Sequence, residues 1–157
     1  MQLRKIIKTS IRKYLNEQKM LNDKLHNTLL ALRNDLALSA QKVYNEWEQD
    51  EEGYDELYGG GGICDDIADA MCNVINNKTN YGCFHLYNEY DCHTSIYVYD
   101  DITKQIYNVD IPPYVYEKGT GYNWKKINNV LFNLNHINID EVDWETYLDD
   151  EGNFKND

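Results

Sequence analysis

The sequence predicts an α+β domain in which a long helix, or a pair of helices, precedes a body made of one helix packed on a small antiparallel sheet. Three observations carry that expectation. From Leu3 to Gln49 the chain holds neither Gly nor Pro, and its apolar residues recur at helical spacing. A loop over Glu51–Gly62 contains five glycines and ends in Gly59-Gly60-Gly61-Gly62. After one further helical stretch, three short runs have the composition and alternation of strands.

In chain order, Ile7, Ile11, Tyr14 and Leu15 form a first apolar stripe on a segment rich in Lys and Arg. Leu25, Leu29, Leu32, Leu36 and Val43 follow in steps of four, three, four and seven, and Trp47 extends the stripe by four. Two helices over roughly 3–17 and 20–48, or one bent helix, satisfy this pattern. A further helix is expected from Cys64 to Asn76, with Ile67, Met71, Val74 and Ile75 on one face. Asp65, Asp66 and Asp69 in its first turns complement the helix macrodipole, and the polar cluster Asn76–Asn80 ends it. Strands are expected at Cys83–Tyr87, Thr94–Tyr99 and Gln105–Val109. The polar stretch Asp100–Lys104 would join the last two as a hairpin, and Pro112-Pro113 would close it. Residues 125–135 and 140–149 carry weaker signals for short elements. The expected division is a basic helical arm over 1–50, a core over 51–150 and a frayed acidic tail over 151–157.

Charge narrows the function classes. The 157 residues carry 27 Asp+Glu against 15 Lys+Arg, a formal charge of −12. Residues 1–40 hold eight cations and three anions, +5, while residues 41–157 hold seven and twenty-four, −17. Such a body is unsuited to nucleic acid, which is bound by displacing counterions with Lys and Arg. No apolar run approaches bilayer length, so no membrane span is expected. The N-terminus lacks an apolar core of secretory length, which points to a cytoplasmic protein. Its four cysteines, Cys64, Cys72, Cys83 and Cys92, are then expected as reduced thiols.

The chemistry-bearing pattern is a glycine-rich loop, a Cys at a helix start, a His at a strand start and an Asp at the end of the next strand: Cys64, His93 and Asp110. A helix N-terminus favours the thiolate, the reactive form of Cys. Its free N–H groups, that of Cys64 first, can hold a tetrahedral oxyanion. Gly62 and Ile63 before the nucleophile would shape the approach of substrate. His93 would exchange the proton between thiol and leaving group, and Asp110 would orient the imidazole and stabilise its cation. Sixteen residues separate His93 from Asp110, the length of two strands and a short turn, so the hairpin returns both to one end. Asp65 and Asp66 beside Cys64 would oppose thiolate formation if they faced it, unless they point away or bind a basic group of the substrate.

The stretches GGGGICDDIADAM, DCHTSIYVYDD and QIYNVDIPP resemble the papain-like cysteine peptidase superfamily, and especially its transglutaminase-like branch, whose His-to-Asp segment reads HxWxxVY…WxxVD. The likeness covers roughly residues 58–113. It implies a minimal papain/transglutaminase-like core with Cys64 as nucleophile, His93 as base and acid, and Asp110 orienting the His. It also implies a protein or peptide substrate and no cofactor. Papain-like peptidases carry a Gln as second oxyanion donor six residues before the Cys; the resemblance puts Tyr58 at that position, with Gln49 and Tyr54 as further candidates. The family's aromatic residue after the Cys is replaced by Asp65. The segment MQLRKIIKTSIRKYLNEQ is similar to short amphipathic N-termini of many tailed-phage proteins, which would place the chain in an infected host cell or a virion. That helix is read as packed on the body or as a docking arm for a partner. The rival reading is a catalytically inactive papain-like fold serving as a phage-encoded binding or inhibitory protein. A zinc site drawn from Cys72, Cys83, His85, Cys92 and His93 lacks the CxxC spacing of structural zinc and is disfavoured. Tyr87, Tyr90, Tyr97 and Tyr122 are candidate groove residues, while His26 and His136 are read as packing or surface.

Overall fold

The computed structural model describes residues 2–21, 23–120 and 123–155; Tyr122 of the expected tyrosine groove lies outside them. Helix α1 (Gln2–Leu21) presents Leu3, Ile6, Ile7, Ile11, Tyr14 and Leu15 to solvent, each 49–70% exposed. It is therefore not packed on the body. Helix α2 (Lys24–Glu46) behaves differently. Its Leu25, Leu29, Leu36, Ala37, Ala40 and Val43, followed by Trp47, are buried in the core. Among the described side chains those of α1 are exposed, whereas α2 shares one core with α3 and the sheet. The predicted apolar ladder is the reason, since its residues line one face and bury it against the sheet and the next helix.

Asp23 fixes where α2 begins. One carboxylate oxygen accepts the His26 N–H at 2.9 Å as an N-cap. The other accepts the Tyr107 hydroxyl and, at 3.1 Å, the Gln105 amide. The helix start is thus tied to the strand that carries Asp110.

A minute hairpin, β1 (Tyr54–Asp55) with β2 (Gly59–Gly60), folds the acidic loop. Asp55 is buried and accepts backbone N–H groups from Glu48, Leu57 and Tyr58. Helix α3 (Cys64–Lys78) follows. It packs on a four-stranded antiparallel sheet of order β3 (Gly82–Asn88), β4 (His93–Asp100), β5 (Gln105–Asp110) and β8 (Asn138–Val142). A second hairpin, β6 (Glu117–Thr120) with β7 (Asn123–Lys126), lies between β5 and β8 in sequence. Ile96, Val98, Tyr107 and Val109 join the core shared with α2 and α3. The other sheet face carries an aromatic cluster of Phe84, Tyr97 and Tyr99 against Trp144, Tyr147 and Phe154. Phe154 also bridges Leu148, so the tail expected to fray from residue 151 is tied back as far as Phe154 by ring packing. Tyr97 belongs to this cluster, while Tyr87 and Tyr90 are exposed.

Cys72 on α3 and Cys83 on β3 form a disulfide, which corrects the expectation of four reduced thiols; Cys64 and Cys92 are free. The cause is placement: packing α3 across β3 brings the two Cα atoms to 5.7 Å, within bridging range. Alkylation of denatured, unreduced protein should label two thiols, and four after reduction. Opening the bridge should cost about 2–3 kcal/mol in denaturant titrations, as expected for a short closed loop.

Candidate active site

Three elements converge at the N-terminal end of α3. Cys64 opens that helix, whose first turn carries Asp65 and Asp66 and whose N-cap, Ile63, supplies no side-chain bond. His93 opens β4, directly after Cys92, which adopts φ 50°. Asp110 closes β5. The register that pairs Ile96 with Val109 sets Asp110 opposite Ser95, two residues along from His93 and on the same face. The pair is therefore diagonal across the hairpin rather than directly opposed. The side chains span the offset: His93 Nε2 lies 2.7 Å from Asp110 Oδ1.

Both partners are sequestered, His93 almost completely. His93 Nδ1 is buried without a hydrogen bond of ordinary geometry. Besides Asp110, the Cys64 thiol acts on the His93 ring. Burial alone would lower the imidazole's proton affinity. Asp110 and Cys64 together outweigh it and push His93 up to about 10. The arrangement favours an imidazolium beside the sulfur at neutral pH, which is the state in which a Cys–His pair is nucleophilic.

Of the flanking candidates, Asp65 accepts the Thr94 hydroxyl on β4. Asp66 is pushed up by burial and then by Asp65 and Asp69. Ile63 is fully buried. A Cβ at Gly62 would overlap the carboxylate of Glu117, so this position needs glycine for space rather than for its dihedral angles.

The second-donor candidates are differently employed. Tyr58 donates its hydroxyl to Glu46 at 3.0 Å, and burial followed by that carboxylate pushes it up to about 12. Gln49 is a clamp: its amide nitrogen donates to Gly61 and Trp124 carbonyls, both at 2.9 Å, and its oxygen accepts Lys126 N–H at 2.9 Å. That pins the glycine loop, where Gly61 has φ 93°, against β7. Tyr54 is exposed. His85 pairs with Asp69 at 3.2 Å, and Cys72 and Cys83 are bridged, so these residues are spoken for. Among the described residues, no group of three His, Cys, Asp or Glu is arranged to hold a metal ion.

Two residues that sequence reading missed complete the surroundings. Tyr116 is fully buried with an unpartnered hydroxyl, and burial, then Glu117, Cys64, Asp110 and Asp65, push its pKa well up. Glu117 is 2% exposed and sits beside His93 and Ile63. Both follow Pro112-Pro113 in a segment without periodicity, so no local pattern marked them. No family model, curated protein or solved structure matches this chain.

The raised His93 value carries a stability consequence. Stabilisation from the pair is fully present below the ordinary imidazole value of 6.5 and is lost as pH rises through about 10. Asp110→Asn should cost on the order of 3 kcal/mol at the acid end of that window, as for a broken buried pair. The deficit should shrink above about pH 10, where the wild-type ring is neutral. Denaturant titrations at the two ends check this, and an equal deficit at both would contradict it.

Proposed function

We propose that this chain is a cysteine hydrolase or acyltransferase of papain/transglutaminase-like organisation, cleaving or exchanging an amide through a thioester. One observation carries the reading: a buried imidazole held by Asp110 and acted on by Cys64, which opens a helix. Cys64 thiolate attacks the amide carbonyl, and the oxyanion forms beside the N-terminal N–H groups of α3. His93 gives its proton to the leaving amine as the C–N bond breaks. Water or an acceptor amine then adds to the thioester carbon, the imidazole takes the proton of this nucleophile, and sulfur leaves as thiolate. Every proton and electron pair is supplied by the chain and its two substrates.

A peptide, an isopeptide or a glutamine side chain is the substrate class that fits this chemistry. The −17 carried by residues 41–157 favours neutral or basic substrates over acidic ones. The exposed basic, amphipathic α1 supports a role as a docking arm.

A panel of fluorogenic peptide and isopeptide amides, with a glutamine-donor and amine-acceptor assay, tests the proposal. Wild type should turn over at least one member, and Cys64→Ala and His93→Ala should fall to background. Asp110→Asn should lose roughly 10²–10⁴-fold, the range of an impaired general acid–base. Tyr58→Phe should stay within a few-fold, because its hydroxyl is committed to Glu46. Turnover that survives Cys64→Ala would sink the reading, and a wholly inert wild type would favour the inactive binding protein.

A further inference from the structure

Of the four buried side-chain polar atoms without a hydrogen-bond partner among the described residues, three belong to the region of Cys64: His93 Nδ1 and the Tyr116 hydroxyl, on residues that Cys64 acts on, and Glu117 Oε2, over Gly62. The first belongs to the Cys–His–Asp set. The second neighbours it. The third has no part in that chemistry, yet a buried carboxylate oxygen with no partner is costly and calls for a reason.

Glu117 opens β6, far in sequence from α3, and its carboxylate returns to the turn in front of the nucleophile. The backbone N–H of Ile63 draws its pKa partly back down. Oε2 lies over Gly62, in the space a side chain there would fill. Ile63 is the N-cap of α3 and has no side-chain cap. The same carboxylate faces the His93 charge.

We propose that Glu117 is a positioning residue, filling the notch at Gly62 in front of Cys64 and setting a second buried carboxyl toward the His93 imidazole. This rests on the cysteine-enzyme reading of the same site but does not need turnover to be tested. The groups that face Glu117 and its neighbour Tyr116 are His93 from β4, Cys64 and Asp65 from α3, and Asp110 from β5. Burial pushes Glu117 up, His93 and the Ile63 N–H pull it partly back, and it settles at about 7. It therefore changes charge near neutrality while His93 stays protonated up to about 10.

The sign for stability follows. An acid raised from 4.5 to about 7 penalises the folded state once pH exceeds its unfolded value, and the penalty is complete above about 7. Glu117→Gln keeps the shape and removes the charge. Its Tm should match or fall below wild type near pH 4.5, gain on wild type as pH rises from there, and level off above about 7. The decisive readout is the imidazole nitrogen resonance of His93 followed across the neutral range. Wild type should show a step centred near 7 with the ring still protonated, and Glu117→Gln should lack it. If that variant does not fold, the side-chain carboxyl resonance of Glu117 in wild type must move with the His93 step. A His93 step unchanged in Glu117→Gln, or a Glu117 carboxyl that titrates near 4.5 in wild type, would overturn the proposal. Either outcome leaves the Cys64 reading intact, whereas an inert Cys64 with a normal Glu117 step would do the reverse.

Discussion

The seating of α3 on β3 and β4 is held at three places along the helix, and each holds for a different reason. At its first turn Asp65 accepts the Thr94 hydroxyl. Through its middle, Ile67, Met71 and Ile75 are buried in the core that Ile96 and Val98 share. Two turns on from Cys64, the Cys72–Cys83 disulfide fastens the helix to β3. A slip of one residue along the axis is about 1.5 Å, enough to carry the Cys64 sulfur away from an imidazole that Asp110 holds still. Side-chain packing sets the face presented, and the two polar ties set the axial position. The glycine loop is positioned in turn by the Gln49 clamp, so the strand-side and loop-side halves of the site meet over one fixed helix end.

Charge is the second constraint. An excess of carboxylates around a cysteine opposes thiolate formation; here Asp65 and Asp66 follow Cys64 in the chain, and Asp110 and Glu117 act on the imidazole. The fold employs each differently. Asp110 is spent on the imidazole, where its charge helps rather than hinders. Asp65 is spent on Thr94, and burial raises both Asp66 and Glu117, the latter to about 7.

Much of the scaffold was legible in sequence because local and tertiary demands agree there. The leucine ladder of α2, the acidic first turn of α3 and the alternation in β4 each encode the face they bury. The convergence of His93 and Asp110 was also legible, since hairpin length alone returns them to one end. What stayed hidden depends on contacts between distant segments. Nothing near Cys72 or Cys83 announces their bridge, which arises from how a helix crosses a strand. Gln49 looked like a donor for chemistry but is a clamp, because the backbone carbonyls of Gly61 and Trp124 reach it from 12 and 75 residues away. Glu117 is the clearest case: its role comes entirely from the notch at Gly62, which no linear pattern shows. Phe154 likewise found its ring partners only once the sheet existed.

The free thiol of Cys92, which lies on the residue before His93, provides an internal reference for the central claim that Cys64 is activated by the imidazole. The direct measurement is the rate at which a limiting amount of iodoacetamide labels each of these two cysteines in folded protein at neutral pH, in wild type and in His93→Ala. Activation predicts that Cys64 reacts roughly tenfold or more faster than Cys92 in wild type, and loses that advantage when the imidazole is removed. Labelling of Cys64 at or below the rate of Cys92, unaffected by His93→Ala, would contradict the account.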